Sequence, residues 1–364
     1  MRAAFVGLII FLSAGMAAAQ SMDSSLGQLK VERVASGFKN PWALGFLPNN
    51  QFLVTERRGR LFIVDGRGDK HRLTGLPKVA ADGQGGLLDV LVPKDFATNG
   101  QIFLTYSKPQ SRGSGTAVAR ADLDVDRRQL SNVTTIFEIA AGSQGGRHFG
   151  SRLAEGPDGA LYVTIGDRGD RPSAQDRSNH NGSVLKIDRN GAPARDNPFG
   201  SLSGVQPEIW SYGHRNPQGM SFDSRGRLWA VEHGARGGDE VNLVQKGNNY
   251  GWPVIAYGVH YSGGKIGEGT SKTGMEQPEH YWDPSIAPSG LMVYEADTFS
   301  EWSGDIFVGS LKFDYISRLS GANLKEVEAL KSPETKRVRD VRQAPDGSIW
   351  FISDDRGAVY RIAR

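Results

Sequence analysis

One phrase recurs six times along this chain, and it limits the fold more than any other feature. An apolar strand runs into a tight turn, often of the Pro-Asp-Gly type. A second strand follows and ends near an acidic or glycine-rich loop. The copies begin at Pro41, Gly85, Gly150, Pro217, Pro288 and Val338. Each has room for about four short strands, which is one propeller blade. A sandwich would not repeat such a phrase across its whole length, and a β-helix would repeat it far more often. The expected fold class is therefore all-β: a six-bladed β-propeller with four-stranded antiparallel blades, over residues 31–364. The turns have a physical basis. Pro157-Asp158-Gly159 and Pro345-Asp346-Gly347 supply a fixed φ, a side-chain cap and a positive φ in that order. The spacing of the copies is uneven, with surplus residues between Asp167 and Leu185 and between Asn248 and Pro288. Extra loop on a regular scaffold is where a site is normally built.

The N-terminus suggests export. Arg2 precedes an apolar run from Val6 to Leu12, and Ala17, Ala18 and Ala19 offer small residues before Gln20. That is the layout of a secretory signal peptide over residues 1–19, and it predicts a periplasmic protein with no membrane insertion. Residues 20–30 are mostly small and polar and read as a flexible lead-in. There is no cysteine, which excludes thiolate nucleophiles, cysteine-zinc sites and iron–sulfur clusters. The net charge of +3 comes without a long basic run or a DNA-binding motif. Nucleic acid is thus not expected as a partner, but a small anion is compatible. A propeller closes on itself and needs no partner strand, so a monomer or weak dimer is expected.

The glycine-rich loops before and after the inner strands carry a set of polar residues. They include Gln84, His148, Arg215, Asn216, Lys312, Arg337 and Arg339, at equivalent places in successive copies. Radial symmetry would gather them at one mouth of the central channel. Together they make a basic, hydrogen-bonding nest suited to a compact polyanion, because arginine meets a carboxylate with two bonds at once. A histidine in such a nest has the right intrinsic pKa for a base.

The phrases GQGGLLDV, GGRHFGSRL, YGHRNPQGM, EHGARGGDEVNLV, NNYGWP and RVRDV resemble the soluble, pyrroloquinoline-quinone-dependent glucose/sorbosone dehydrogenase family, and its aldose sugar dehydrogenase branch in particular. The likeness runs from about Val31 to the C-terminus. It implies an oxidoreductase that converts aldoses to aldonolactones, with pyrroloquinoline quinone (PQQ) and Ca2+ as cofactors. His148 would take the proton of the anomeric hydroxyl while hydride passes to the quinone. Arg215 and Asn216 would stand beside the quinone oxygen, and Gln84 would touch cofactor and sugar. Lys312, Arg337 and Arg339 would clamp the cofactor's carboxylates. The carbonyls of Gly234 and Ala235 would bind calcium at the quinone. The Glu240 side chain and the Tyr250 carbonyl would bind a second, structural calcium. Tyr261 would be a further cofactor contact, and Tyr261 and Trp282 could also floor a sugar site or simply pack.

The chain has Arg168 where the glucose-oxidising branch has a glutamine, which points to broader aldose use. A calcium-dependent lactonase and a non-catalytic binding propeller are the competing readings. The cationic cluster speaks against the first, and the presence of His148 and Arg215 against the second. No haem-attachment motif is present, so electrons would pass to an external acceptor.

Overall fold

The computed structural model of the protein describes residues 20–364. The expected signal peptide lies outside the described residues. Six antiparallel sheets are arranged as blades around one axis. Blade 1 runs from Pro41 to Arg72, blade 2 from Leu87 to Glu138 and blade 3 from Leu153 to Tyr212. Blade 4 runs from Pro217 to Trp282 and blade 5 from Pro288 to Leu330. Each of these sheets has four strands. Blade 6 takes three strands from the C-terminus, Val338–Gln343, Ile349–Ser353 and Ala358–Ala363.

Closure of the ring corrects one expectation. Residues 20–30 are not a flexible lead-in. Gly27–Ser36 pairs with Ala358–Ala363, setting Val31 opposite Ile362, and Gln20–Ser24 adds a fifth strand outside it. Met22, Leu29 and Val31 alternate inward and are buried. That alternation is diluted in the sequence by serine and glycine, which hides the strand signal. Joining the two ends of the chain in one sheet leaves no open blade edge at the seam.

The turns behave as their residues dictate. Gly159 and Gly347 have φ of +77° and +79°. Asp158 and Asp346 accept the backbone N–H of Ala160 and Ser348. Hydroxyls stitch neighbouring blades. Thr55 donates to Leu88 of blade 2, Thr105 to Ser151 at the start of blade 3, and Thr164 to Pro217 of blade 4, at 2.6, 2.6 and 2.9 Å. These bonds use backbone carbonyls that the sheet ladders leave over near the axis.

The axis itself is filled by charge. Arg152 reaches Asp89 and Asp340, each at 3.1 Å. Arg342 reaches the same two carboxylates, each at 3.0 Å. Asp89 also accepts Leu153 N–H, and Asp340 accepts Leu44 N–H. Blades 1, 2, 3 and 6 are thus joined through two cations and two anions. The site lies at the mouth where the innermost strands begin.

Candidate active site

The site is assembled by acidic residues that close the second strand of several blades. Glu56, Asp167, Glu232 and Asp354 stand at or just beyond the ends of Phe52–Glu56, Leu161–Ile165, Leu228–Glu232 and Ile349–Ser353. Each holds a loop that enters an inner strand. Glu56 accepts Lys39 N–H, and Glu232 accepts Arg215 N–H. Asp354 bonds the Arg337 side chain at 3.2 Å. Asp167 holds His148: its Oδ1 is 2.6 Å from Nδ1. The position recurs with the blade, so the repeated acid at the strand end was the signal that could have marked Asp167 in the sequence.

His148 is fixed on three sides. Its N–H donates to Gln84 Oε1 at 2.8 Å. Its φ is +54°, a left-handed conformation that is costly for a non-glycine residue. The loop packs so tightly that a Cβ on Gly166 would lie 2.2 Å from the His148 carbonyl oxygen. With Nδ1 committed to Asp167, Nε2 is the free ring nitrogen. Burial lowers the His148 pKa and the charges of Arg215 and Arg147 add to this, against the opposing pull of Asp167. Burial pushes the Asp167 carboxyl up, but the His148 contact and the Gly169 N–H outweigh it, and the net shift is down. The pair is therefore a neutral imidazole held by an ionised carboxylate. The second Asp167 oxygen accepts the indole N–H of Trp252 at 2.8 Å.

Trp252 leads to the cations. The Arg215 guanidinium lies 5.3 Å from its ring centre. Arg215 is buried, its Nη1 donates to the His233 carbonyl, and its Nε has no partner. Asn216 accepts Gly150 N–H at 3.1 Å, which ties it to the His148 loop. Arg339 is buried, bonds Gln218 at 2.9 Å, and is lowered to about 10 by burial. Arg337 shares Asp354 and the Leu311 carbonyl, and Lys312 follows in that same loop, exposed. His233 sits between the two groups. Burial, with the charges of Arg215 and Arg339, holds it well below the usual histidine range.

Some candidates occupy other places. Arg168 does not enter the site. Its guanidinium lies 3.5 Å from the Phe149 ring centre and donates to the carbonyls of Arg147 and Ser114. Trp282 is buried and bonds Glu326, so it packs rather than floors a sugar. Tyr261 stands 71% exposed at the rim, on the loop whose neighbour Val259 pairs with Arg236. His214 is a buried hydrogen-bonder between Ser211 and Glu232.

Gly234, Ala235, Glu240 and Tyr250 line one small cavity together with Glu232. Burial, with Glu232 nearby, raises the Glu240 carboxyl to about 8. Asn242 bridges the two glutamates at 3.0 and 3.3 Å. Asp239 is buried and accepts from Gly234, Ser285 and Ala287.

A six-bladed propeller with a histidine–aspartate pair and buried guanidiniums at one axial mouth defines a class, and the comparisons agree. The glucose/sorbosone dehydrogenase family model matches residues 38–361, and the chain belongs to that family. It is an oxidoreductase family. Aldose sugar dehydrogenase YliI of Escherichia coli is 41% identical over 335 residues, covering 90% of both chains. The crystal structure of the soluble aldose sugar dehydrogenase of Escherichia coli in the apo-form superposes with a TM-score of 0.88 at 39% identity, covering 92% of this chain and 99% of that one. The PQQ-bound aldose sugar dehydrogenase of Streptomyces coelicolor gives a TM-score of 0.76 at 29% identity, covering 92% and 97%.

Proposed function

We propose that this chain is a periplasmic aldose dehydrogenase that uses PQQ and calcium to oxidise the anomeric carbon of a broad range of aldoses to aldonolactones. The observation that carries the reading is the meeting, in one mouth, of the His148–Asp167 pair with buried arginines that lack a carboxylate partner. Enclosed guanidiniums with unpartnered or singly bonded donors call for an anion with several acceptors. That donor set fits a tricarboxylate quinone. Arg215 and Asn216 would lie at its carbonyls, and Lys312, Arg337 and Arg339 at its carboxylates. When bound, PQQ supplies the two-electron acceptor that protein side chains lack.

The protein's own part is orientation and proton transfer. Asp167 fixes the His148 tautomer so that Nε2 presents a lone pair to the sugar. Nε2 takes the anomeric hydroxyl proton, and Asp167 stabilises the imidazolium that results. Arg215 stabilises negative charge that develops nearby, and it does so strongly because the position is dry. Gln84 holds the base in register through its backbone.

The acid-lined cavity fits calcium. Glu240 is an oxygen donor here with no lysine or arginine partner, Glu232 beside it is already held by His214, the Arg215 N–H and Asn242, and carbonyls of Gly234, Ala235 and Tyr250 would be hard ligands of the same kind. Among the described residues, no three His, Cys, Asp or Glu side chains cluster as a metal site, so carbonyls would have to complete the shell. The withdrawn Arg168 and exposed Tyr261 support a wide aldose range.

Purified protein titrated with PQQ in calcium buffer, then with aldoses, tests the reading. Binding at micromolar quinone and bleaching of its absorbance by sugar are expected. A His148→Gln variant should bind the quinone but scarcely reduce it. Failure of the quinone to bind would sink the proposal.

A further inference from the structure

We infer that, within that broad range, this site prefers anionic aldoses, sugars that carry a carboxylate or a phosphate away from the anomeric carbon. The inference rests on the aldose reading above and deepens it. Two arginines outside the quinone clamps flank the His148–Asp167 pair. Arg147 directly precedes His148 and is exposed. Its backbone is anchored, since the Arg147 carbonyl accepts from Arg168. Its side chain lies across the turn after Asp167, where a Cβ on Gly169 would meet Arg147 Nε at 2.5 Å. Arg171 is half-buried. Its Nη1 is 2.7 Å from His260 Nδ1, and its guanidinium lies 5.5 Å from the centre of the Trp252 ring. That is the indole that donates to Asp167.

Neither guanidinium has a carboxylate oxygen within 4.0 Å among the described residues. Asp167 is committed to His148, Trp252 and Gly169. Asp82 and Asp170, the other acids on these loops, are exposed and pair with neither arginine. Arg147 therefore stands beside the base, and Arg171 and Arg215 stand as like charges against the Trp252 ring next to it. The charge of Arg147 acts on His148 and that of Arg171 on Arg215. A neutral aldose offers only hydroxyls to this rim. A carboxylate or phosphate would receive forked, charge-assisted bonds and offset the repulsion. The same charges would draw an anionic sugar in, with a rate that falls as salt rises.

The test uses holoenzyme and follows reduction of the bound quinone by stopped flow with no external acceptor. Glucose, glucuronate and glucose 6-phosphate are compared. We expect kcat/KM for at least one charged sugar to exceed that for glucose by about tenfold or more. The ratio should fall with ionic strength. A double variant, Arg147→Gln with Arg171→Gln, should bring it near unity. A second readout needs no turnover: methyl glucuronide, which has no free anomeric hydroxyl, should bind wild type more tightly than methyl glucoside. Preference for phosphate alone would identify that anion, and preference for both would identify the shared charge. The inference is overturned if glucose reduces the quinone but charged sugars are no faster and methyl glucuronide binds no better. It is also overturned if the preference survives in the double variant. If no aldose reduces a quinone that has bound, the aldose reading itself fails.

Discussion

Asp167 holds two side chains at once: one oxygen lies 2.6 Å from His148 Nδ1, and the other accepts the Trp252 indole N–H at 2.8 Å. The base and the aromatic platform beside Arg215 are thus positioned by one buried carboxylate. Replacing it keeps the shape and removes the charge. Asp167→Asn should lower the rate of quinone reduction by about 10²–10⁴-fold while PQQ affinity changes little. Single-turnover kinetics and a binding titration separate the two effects.

The same pair sets the pH response. The His148 pKa is lowered by burial and by neighbouring arginines, and the ring must be neutral to act as base. The rate should be full above the folded pKa and fall as pH drops through it, with that limb below about 6.5, the ordinary histidine value. Asp167 opposes the lowering, so in Asp167→Asn the limb should move to still lower pH. A limb that moves upward would contradict the assignment. The measurement is the pH profile of single-turnover rate in both proteins.

Arg339 is a buried cation with one neutral hydrogen-bond partner, Gln218. Arg339→Gln should weaken PQQ binding by about 10- to 100-fold, the effect of one or two charge-assisted bonds. The variant should not lose thermal stability, because the wild-type cation carries a desolvation cost. Isothermal titration and a melting curve report the two quantities.

Glu240 and Glu232 crowd one cavity. If calcium occupies it, saturating calcium should raise the melting temperature, by the equivalent of about 2.7 kcal/mol at a hundredfold excess over Kd. Glu240→Gln should abolish that calcium dependence. A melting temperature that responds to calcium equally in both proteins would place the ion elsewhere.

At the axis, Arg152 neutralises Asp89 and Asp340, and all three are buried. Arg152→Met should cost about 3–5 kcal/mol, because two carboxylates would remain with only Arg342. A denaturant titration of the cofactor-free protein gives the change. A shift within error would show that water reaches the axis and screens the pair.

Much of the fold was legible because it repeats. Six similar phrases, with turn residues at fixed places, specify six sheets, and the blade starts read from the sequence fall within a few residues of the observed strands. The N-terminal strands were not legible, since Gly27–Ser36 becomes a strand by pairing with Ala358–Ala363, more than 300 positions away, and Gln20–Ser24 then pairs with Gly27–Ser36. Within the site, the cationic residues and His148 were visible through their glycine-rich settings. Asp167, Trp252 and His233 were not, because each matters through a contact that only folding makes, such as Asp167 with Trp252 and His233 with Arg215.

Arg168 shows the limit from the other side. The sequence places it next to Asp167, at the position where the glucose-oxidising branch has a glutamine. The fold turns it onto Phe149 and two backbone carbonyls, and burial lowers it to about 10. The sequence by itself determined the repeat, the turns and the chemical character of the mouth, since these depend on local patterning. Only the tertiary structure decided which side chains face the axis and which pair with each other. Neighbouring loops at the mouth come from different blades, and ring closure, not chain order, brings them into contact.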